Sequence, residues 1–255
     1  MMKRPRVEPT PTIELSVICP AYNEEGAITD AVTDVVREVF PIVAACELIV
    51  VNDGSRDRTG ESLDTLAAAE PRLRVIHQAN AGHGPALRRG LDEALGEWVL
   101  LIDSDRQMPL ERFGDLWLAA RTGDAAFAVR CRREDPVFRL ILTRLVRVCV
   151  RTLFGTRIQD LNVPFKVLRR DHWLEMKPFI PPETLAPSLF VSIVSVWKGH
   201  RIAEVEVSHR ARKTGVVSIR RWRLLKFCAR GLGQLLTLRL RLWREPRPRL
   251  TRPVS

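Results

Sequence analysis

Glu97-Trp98-Val99-Leu100-Leu101-Ile102-Asp103-Ser104-Asp105-Arg106-Gln107 runs from a short apolar stretch straight into alternating acids. A run this short and this apolar predicts a strand buried on both faces. Its end sets two carboxylates one residue apart at the mouth of a sheet. Such an arrangement is costly unless something positive neutralises it. A hard divalent cation does so, taking oxygen ligands and leaving places for phosphate oxygens. Gln107 adds a neutral oxygen, so Asp103, Asp105 and Gln107 form a D-x-D-x-Q set. A lone D-x-D is common in exposed turns, and the weight of this one comes from its surroundings.

Outward from this strand, β and α signals alternate. Ile13–Cys19, Glu47–Val51, Leu73–His77, Glu97–Ile102 and Ala125–Val129 have strand character. Between them, Glu25–Phe40, Thr59–Ala69, Gly84–Leu95 and Leu110–Arg121 have helical spacing. Strands without strict alternation, joined by helices of about ten residues, predict an α/β fold with a doubly wound, mostly parallel sheet. Ligands of such sheets sit at the carboxyl ends of the strands. The segments that matter are therefore Pro20–Glu24, Asn52–Asp57, Gln78–Gly84 and Asp103–Gln107, and all four are polar. The second half is less regular. It predicts a basic amphipathic helix over Val137–Phe154, a strand at Val163–Leu168, a helix around Asp171–Met176, a buried helix at Leu185–Trp197, a strand at Arg201–Val207, and one or two helices over Ile219–Trp243.

Composition narrows the classes. The chain has 255 residues, 45% of them hydrophobic and 28% charged, enough for a substantial core. Its five cysteines are scattered, with no C-x-x-C pair, which argues against a disulfide framework or structural zinc and suits a reducing cytoplasmic setting. No signal peptide is expected, and no apolar run reaches the length of a membrane span. Residues 1–12 and 245–255, rich in basic residues and proline, are expected to be flexible tails. Charge is divided unevenly. Residues 1–135 hold 16 Lys and Arg against 23 Asp and Glu, whereas residues 136–255 hold 25 against 7. That asymmetry predicts an anionic partner for the second half: nucleic acid, a phosphorylated substrate or an acidic membrane face.

The remaining strand ends qualify the chemistry. Asn52-Asp53-Gly54 allows a sharp turn, and Asp53 has the type of carboxylate that accepts a ring N–H from uracil or guanine, although a plain Asp-Gly turn has the same sequence. Asn80 to Gly90 opens a helix with small residues that let a phosphate or base approach the helix N-terminus. Leu87 stands where the third glycine of G-x-G-x-x-G would be, and no Gly-Lys-Ser/Thr follows. Dinucleotide-binding enzymes and P-loop NTPases are thereby disfavoured.

Four segments together, Ser16–Glu25, Val51–Ser55, Gly84–Gly90 and Asp103–Gln107, resemble family 2 glycosyltransferases in order and spacing, and most of all the dolichol-phosphate mannosyltransferase group. Weaker likeness continues through Asp160, Phe165-Lys166 and Arg169-Arg170, and through Glu204 to His209 with Arg212 and Gly215. The resemblance implies a single GT-A catalytic domain over residues 13–218, followed by a basic amphipathic helical segment at 219–244. By position it implies that Pro20, Tyr22, Glu24, Asp53 and Arg88 belong to the nucleotide site. Asp103, Asp105 and Gln107 would hold Mg2+ or Mn2+ on the diphosphate of a GDP-mannose or UDP-sugar donor. Arg130, His209, Arg212 and Lys213 would contact donor or acceptor phosphate, with Asp105, Arg130 and Arg212 central to an inverting transfer. Two positions depart from the family pattern: Asn52 replaces a frequent acid, and Pro164 replaces the usual glycine before the Phe.

The acceptor can be narrowed from the residues. Inverting transfer to a hydroxyl needs a general base, yet no Asp or Glu lies between Glu183 and Glu204. An acceptor that is already ionised, such as a polyprenyl phosphate, needs orientation by basic groups instead. Arg220–Phe227 and Leu238–Arg244 have the Arg/Leu/Trp make-up of interfacial helices, predicting peripheral contact with an anionic membrane face on the cytoplasmic side. Packing of those helices on the core is the other reading. Three alternatives remain: a soluble transferase acting on a sugar hydroxyl with Asp160 as base, a basic nucleic-acid-binding protein, and an inactive binding module. The low aromatic content disfavours the second, and the D-x-D-x-Q set disfavours the third.

Overall fold

The computed structural model describes residues 12–131, 137–156, 158–208 and 221–245. Seven strands form one sheet, and its first half is built as the sequence predicts. β1 (Leu15–Ala21) leads to α1 (Ile28–Glu38), β2 (Cys46–Asp53) to α2 (Thr59–Ala69), and β3 (Leu73–Gln78) to α3 (His83–Glu93). β4 (Trp98–Leu101) follows, then α4 (Phe113–Thr122) after a short 3-10 turn, and β5 (Ala125–Cys131). The second half comprises α5 (Val137–Phe154), β6 (Lys166–Arg169), α6 (Arg170–Met176), α7 (Pro187–Trp197), β7 (Ile202–Ser208) and α8 (Arg221–Trp243). The C-terminal segment, expected as one or two helices, is a single one.

The sheet order is β3-β2-β1-β4-β6-β5-β7. β1 pairs in parallel with β2 on one side and β4 on the other, so the winding reverses between β1 and β4. A crevice opens outside the strand ends at such a reversal. β6 runs antiparallel to both β4 and β5, with Lys166 opposite Leu101 and Phe127. The antiparallel strand therefore brings its first residue, Lys166, to the same end of the sheet as Asp103. β1 and β2 are buried along their whole length, because helices cover both faces. One apolar layer gathers Val17, Leu48, Leu100 and Phe165 with α1 and α4. The other gathers Ile18, Val51, Leu101 and Phe127 with α3, α6, α7 and the inner side of α8.

A polar network fastens the opposite end of the sheet. The Glu47 carboxylate, 3% exposed, accepts hydrogen bonds from Ser16 Oγ (2.7 Å), Arg74 (2.6 Å) and the Leu95 amide (2.9 Å). Ser16 Oγ in turn accepts from the Gly96 amide at 2.8 Å. The turn from α3 into β4 is thus tied to β1, β2 and β3 at once. Removing the acid strands several buried donors, a mechanism that costs more than the net worth of the pair. Glu47→Ala is expected to lower unfolding free energy by about 3 kcal/mol, measured by urea denaturation, with nucleotide affinity retained in the folded fraction.

Candidate active site

At the winding reversal lies a cleft of about 420 Å³. Its walls are the loops that follow β1, β2, β3 and β4. Pro20, Tyr22, Glu24, Asp53, Asp103 and Asp105 line it, all named from the sequence, together with Asn80, His83 and Ser104. Tyr22 stands 43% exposed at the rim.

Two strand-end loops clasp each other to shape this cleft. Asn23 adopts φ 54°, in the left-handed region that Asn tolerates. Its side chain accepts from the Arg56 amide (2.8 Å), while its own amide donates to Ser55 Oγ (3.0 Å). The Glu24 amide donates to Thr59 Oγ1 at 2.8 Å and the Glu25 amide to Asp57 at 3.2 Å. Burial opposes charge on Asp57, but hydrogen bonds from the Thr59 hydroxyl and from the Thr59 and Glu25 amides prevail and hold its carboxyl below the usual range.

Asp53 organises a third loop. Its Oδ1 accepts from Gln78 Nε2 (2.7 Å) and the Ala81 amide (2.9 Å), and its Oδ2 from the Gly82 amide (2.8 Å). The carboxylate thereby fixes the start of α3 while lining the cleft. Gly54, the next residue after Asp53, has φ +68°, and a Cβ there would sit 2.6 Å from the Asn80 nitrogen, so glycine is required. At the α3 N-terminus, a Cβ on Gly84 would meet the Thr184 carbonyl oxygen at 2.1 Å. His83, the residue before it, brings its Nε2 to 3.7 Å from Asp103.

The turn carrying the acids is itself held under strain. Arg106 has φ 58°, unusual for a long side chain. Its guanidinium is gripped by two carboxylates of α1: Asp34, at 2.7 Å, and Asp30. The Gln107 amide donates to Asp105 Oδ1 at 3.1 Å. Burial raises the Asp103 carboxyl above its ordinary range. Asp105 adds to the rise, and His83, Lys166 and Arg130 oppose it. The Cys19 thiol beneath is pushed up by burial and then by Asp103, Asp105 and Glu24.

A divalent cation fits this arrangement. Two acids, one of them driven towards neutrality by burial and by its neighbour, are the donor set that a hard cation relieves. Among the described residues no three His, Cys, Asp or Glu side chains converge on a closed metal cage. Asp103 and Asp105 would hold such an ion in an open site, with other ligand places left to water and the oxygens of a donor.

Other sequence-named residues lie elsewhere. Arg88 lines a neighbouring cavity rather than the acid-lined cleft. It donates to the carbonyls of Ile180 (3.2 Å) and Lys177 (3.4 Å) and lies over the Trp173 ring. Gln107 approaches Asp105 through its backbone, and its side chain is not part of the cleft wall. Arg130 is joined to Asp160 through two bonds, of 2.7 and 3.0 Å. His209, Arg212 and Lys213 lie outside the described residues. His83 and Asn80 had no separate role in the sequence reading. Their signal was the polar Gln78–Gly84 strand end, which marks the place but not which side chain turns inward.

Strand order, winding reversal and an acid-lined cleft define a nucleotide-sugar transferase of the GT-A type. The family model for glycosyl transferase family 2 matches residues 16–172, and the chain belongs to that family; it is a glycosyltransferase. Among curated relatives, an undecaprenyl-phosphate 4-deoxy-4-formamido-L-arabinose transferase from Pseudomonas aeruginosa is 28% identical over 242 residues, covering 92% of this chain and 69% of its own. Among solved structures, a mannosyltransferase from Pyrobaculum calidifontis in complex with GDP-Man and Mn2+ superposes with TM-score 0.66 at 23% identity, over 96% of this chain and 70% of that one. TarS of S. aureus gives 0.57 at 24% identity, covering 75% of this chain, which spans 58% of the TarS chain.

Beside the cleft, Lys166 is fully buried, and its Nζ donates to the carbonyls of Val163 and Leu161. Burial pushes its pKa down to about 7; Arg130 adds to the fall, and Asp160 and Asp103 oppose it. The unfolded chain therefore binds more protons than the folded one between about pH 7 and the ordinary lysine value of 10.5. Stability from this group rises with pH across that window. Relative to Lys166→Met, the wild-type chain is expected to gain up to about 1.4 kcal/mol per pH unit above pH 7 in urea unfolding.

Proposed function

We propose that this chain moves a sugar from a nucleotide-diphosphate donor, GDP-mannose or a UDP-sugar, to a polyprenyl phosphate, inverting the anomeric centre. The observation that carries this reading is the pairing of Asp103 and Asp105 at the cleft mouth, together with an Asp160 carboxylate already engaged by Arg130. No acid lies between Glu183 and Glu204. Asp160, which a hydroxyl acceptor would need as base, is engaged by Arg130. A phosphate monoester needs no deprotonation by the protein, only orientation. The undecaprenyl-phosphate transferase named above, similar over 92% of the chain, supports the same acceptor class.

In this reading Tyr22 and Asp53 flank the nucleotide, and Asp103 and Asp105 hold Mg2+ or Mn2+. A bound cation would offset charge on the leaving nucleotide diphosphate. His83, at the start of α3, presents a polar face to the same charge, and the helix N-terminus favours the anion. Arg130, with His209, Arg212 and Lys213 as the sequence assigns them, would orient acceptor and donor phosphates.

A lipid-linked acceptor requires access to a membrane surface, and α8 has the make-up for it. Leu232, Leu236, Leu240 and Trp243 are 45%, 47%, 59% and 75% exposed. Their spacing puts them on one side of the helix, while Leu235, Leu238 and Leu242 are buried against the core. Residues 219–244 contain no acid. An apolar stripe on a wholly basic helix suits an anionic leaflet, on the cytoplasmic side, to which each Lys or Arg near the surface adds about 1 kcal/mol. No helix among the described residues is long and apolar enough to cross a membrane.

Two measurements test these assignments. Nucleotide release and product formation are followed with a panel of sugar nucleotides, Mg2+ or Mn2+, and farnesyl phosphate. Wild-type chain is expected to turn over only with the phosphorylated lipid, and Asp105→Ala to lose roughly 100-fold or more; near-normal turnover by that variant defeats the metal site. Separately, Leu236→Asp with Leu240→Asp is expected to weaken binding to phosphatidylglycerol vesicles at least about tenfold while sparing nucleotide affinity. Unchanged vesicle binding removes the membrane assignment.

A further inference from the structure

Asp160 sits in the loop that joins α5 to β6, and this loop is pinned from three directions. The Gln159 amide donates to Glu204 of β7 at 2.8 Å. Ser192 of α7 donates to the Leu161 carbonyl at 2.8 Å. Lys166 Nζ reaches the carbonyls of Leu161 and Val163 from below. On that fixed loop the Asp160 side chain, 7% exposed, faces the Arg130 side chain, 13% exposed. Arg130 Nε donates to Oδ2 at 2.7 Å and a terminal nitrogen donates to Oδ1 at 3.0 Å. Lys166 of β6 stands opposite both Leu101 of β4 and Phe127 of β5, so Asp103 and Arg130, which follow those residues, leave the sheet at the same end.

This geometry is poorly suited to proton transfer. Both carboxylate oxygens are engaged by one guanidinium, and protonating either would forfeit a charge-assisted bond in a buried place. It is well suited to aiming. A guanidinium carries five N–H groups in a rigid plane, and Asp160 uses two of them. The other three keep a fixed direction because the loop does.

We propose that Asp160 is a positioning residue that aims the Arg130 guanidinium at the phosphate oxygens of the reaction and takes no proton from the acceptor. The proposal rests on the phosphate-acceptor reading given above. Lys166, Ser192 and Glu204 are the props that keep the loop in place.

The test uses the full chain, Mn2+, the active sugar nucleotide and farnesyl phosphate, from pH 6 to 9. Asp160→Asn is expected to lower kcat by about 10- to 100-fold and to keep the acid limb of the kcat profile, with donor KM within about twofold of wild type. Asp160→Asn with Arg130→Lys is expected to be no slower than the slower single variant, because the two side chains act as one unit. Loss of an acid limb of the kcat profile in Asp160→Asn, multiplicative losses in the double variant, or near-wild-type activity would each overturn the proposal. Should Asp160→Asn not fold, Arg130→Lys keeps the carboxylate but breaks the two-bond pairing, and it must show a similar fall with the acid limb kept; wild-type rates from it overturn the proposal. If the wild-type chain ignores farnesyl phosphate and instead glycosylates a sugar hydroxyl, the acceptor reading fails separately. The Asp160→Asn profile on that hydroxyl substrate then decides in the same way, a lost acid limb counting against positioning.

Discussion

Two carboxylates at the mouth of a buried strand repel each other and resist leaving water, and the surrounding architecture answers that difficulty from several sides. β6 enters antiparallel, which places its first residue, Lys166, at their end of the sheet. Arg130 reaches the same place from β5, and His83 from the N-terminus of α3. The turn that carries Asp105 is bent through an unfavourable Arg106 conformation, with α1 supplying the two acids that hold it. His83 approaches Asp103 to 3.7 Å, while Lys166 and Arg130 act on it through their charge. Their arrangement leaves the front of the acids open, as a site for a cation and a pyrophosphate requires.

The loops around the cleft are rigid for reasons that can be named. The β1 and β2 loops exchange side-chain-to-backbone hydrogen bonds, and the Asp53 carboxylate accepts one bond from the last residue of β3 and two from the loop after it. A preformed cleft loses little conformational freedom when it binds. The neighbourhood of Asp160 is ordered differently, by the Arg130–Asp160 pair and by a loop fastened to β7, α7 and β6.

Much of this was legible in the sequence because parallel α/β winding repeats one local pattern. Most strands of the first half are short apolar runs, and their ends are polar. That rule marks the segments that hold Tyr22, Asp53, Asp103 and Asp105, and the family resemblance singles out Tyr22 within its segment. What escaped depended on contacts distant along the chain. Arg88 was assigned to the nucleotide site, yet the face of α3 on which it lies turns it towards the backbone of residues 177–180. Asp53 was read for its affinity for a base, although its bonds within the protein build the next loop. Asp160 looked like a potential base because sequence shows a carboxylate but not the arginine 30 residues away that occupies it. The reversed direction of β6 carries no local signal, since a four-residue strand has the same composition whichever way it runs.

The Glu47 network and the acid-lined cleft occupy opposite poles of the sheet. Damage to the two therefore leaves different traces in a cell. A substitution near Ser16, Glu47 or Arg74 depletes the amount of protein through proteolytic turnover while each surviving molecule works normally. A substitution near Asp103 leaves abundance untouched and silences the molecules one by one. Comparing protein level with product level across a library of variants would separate the two poles without any structural information.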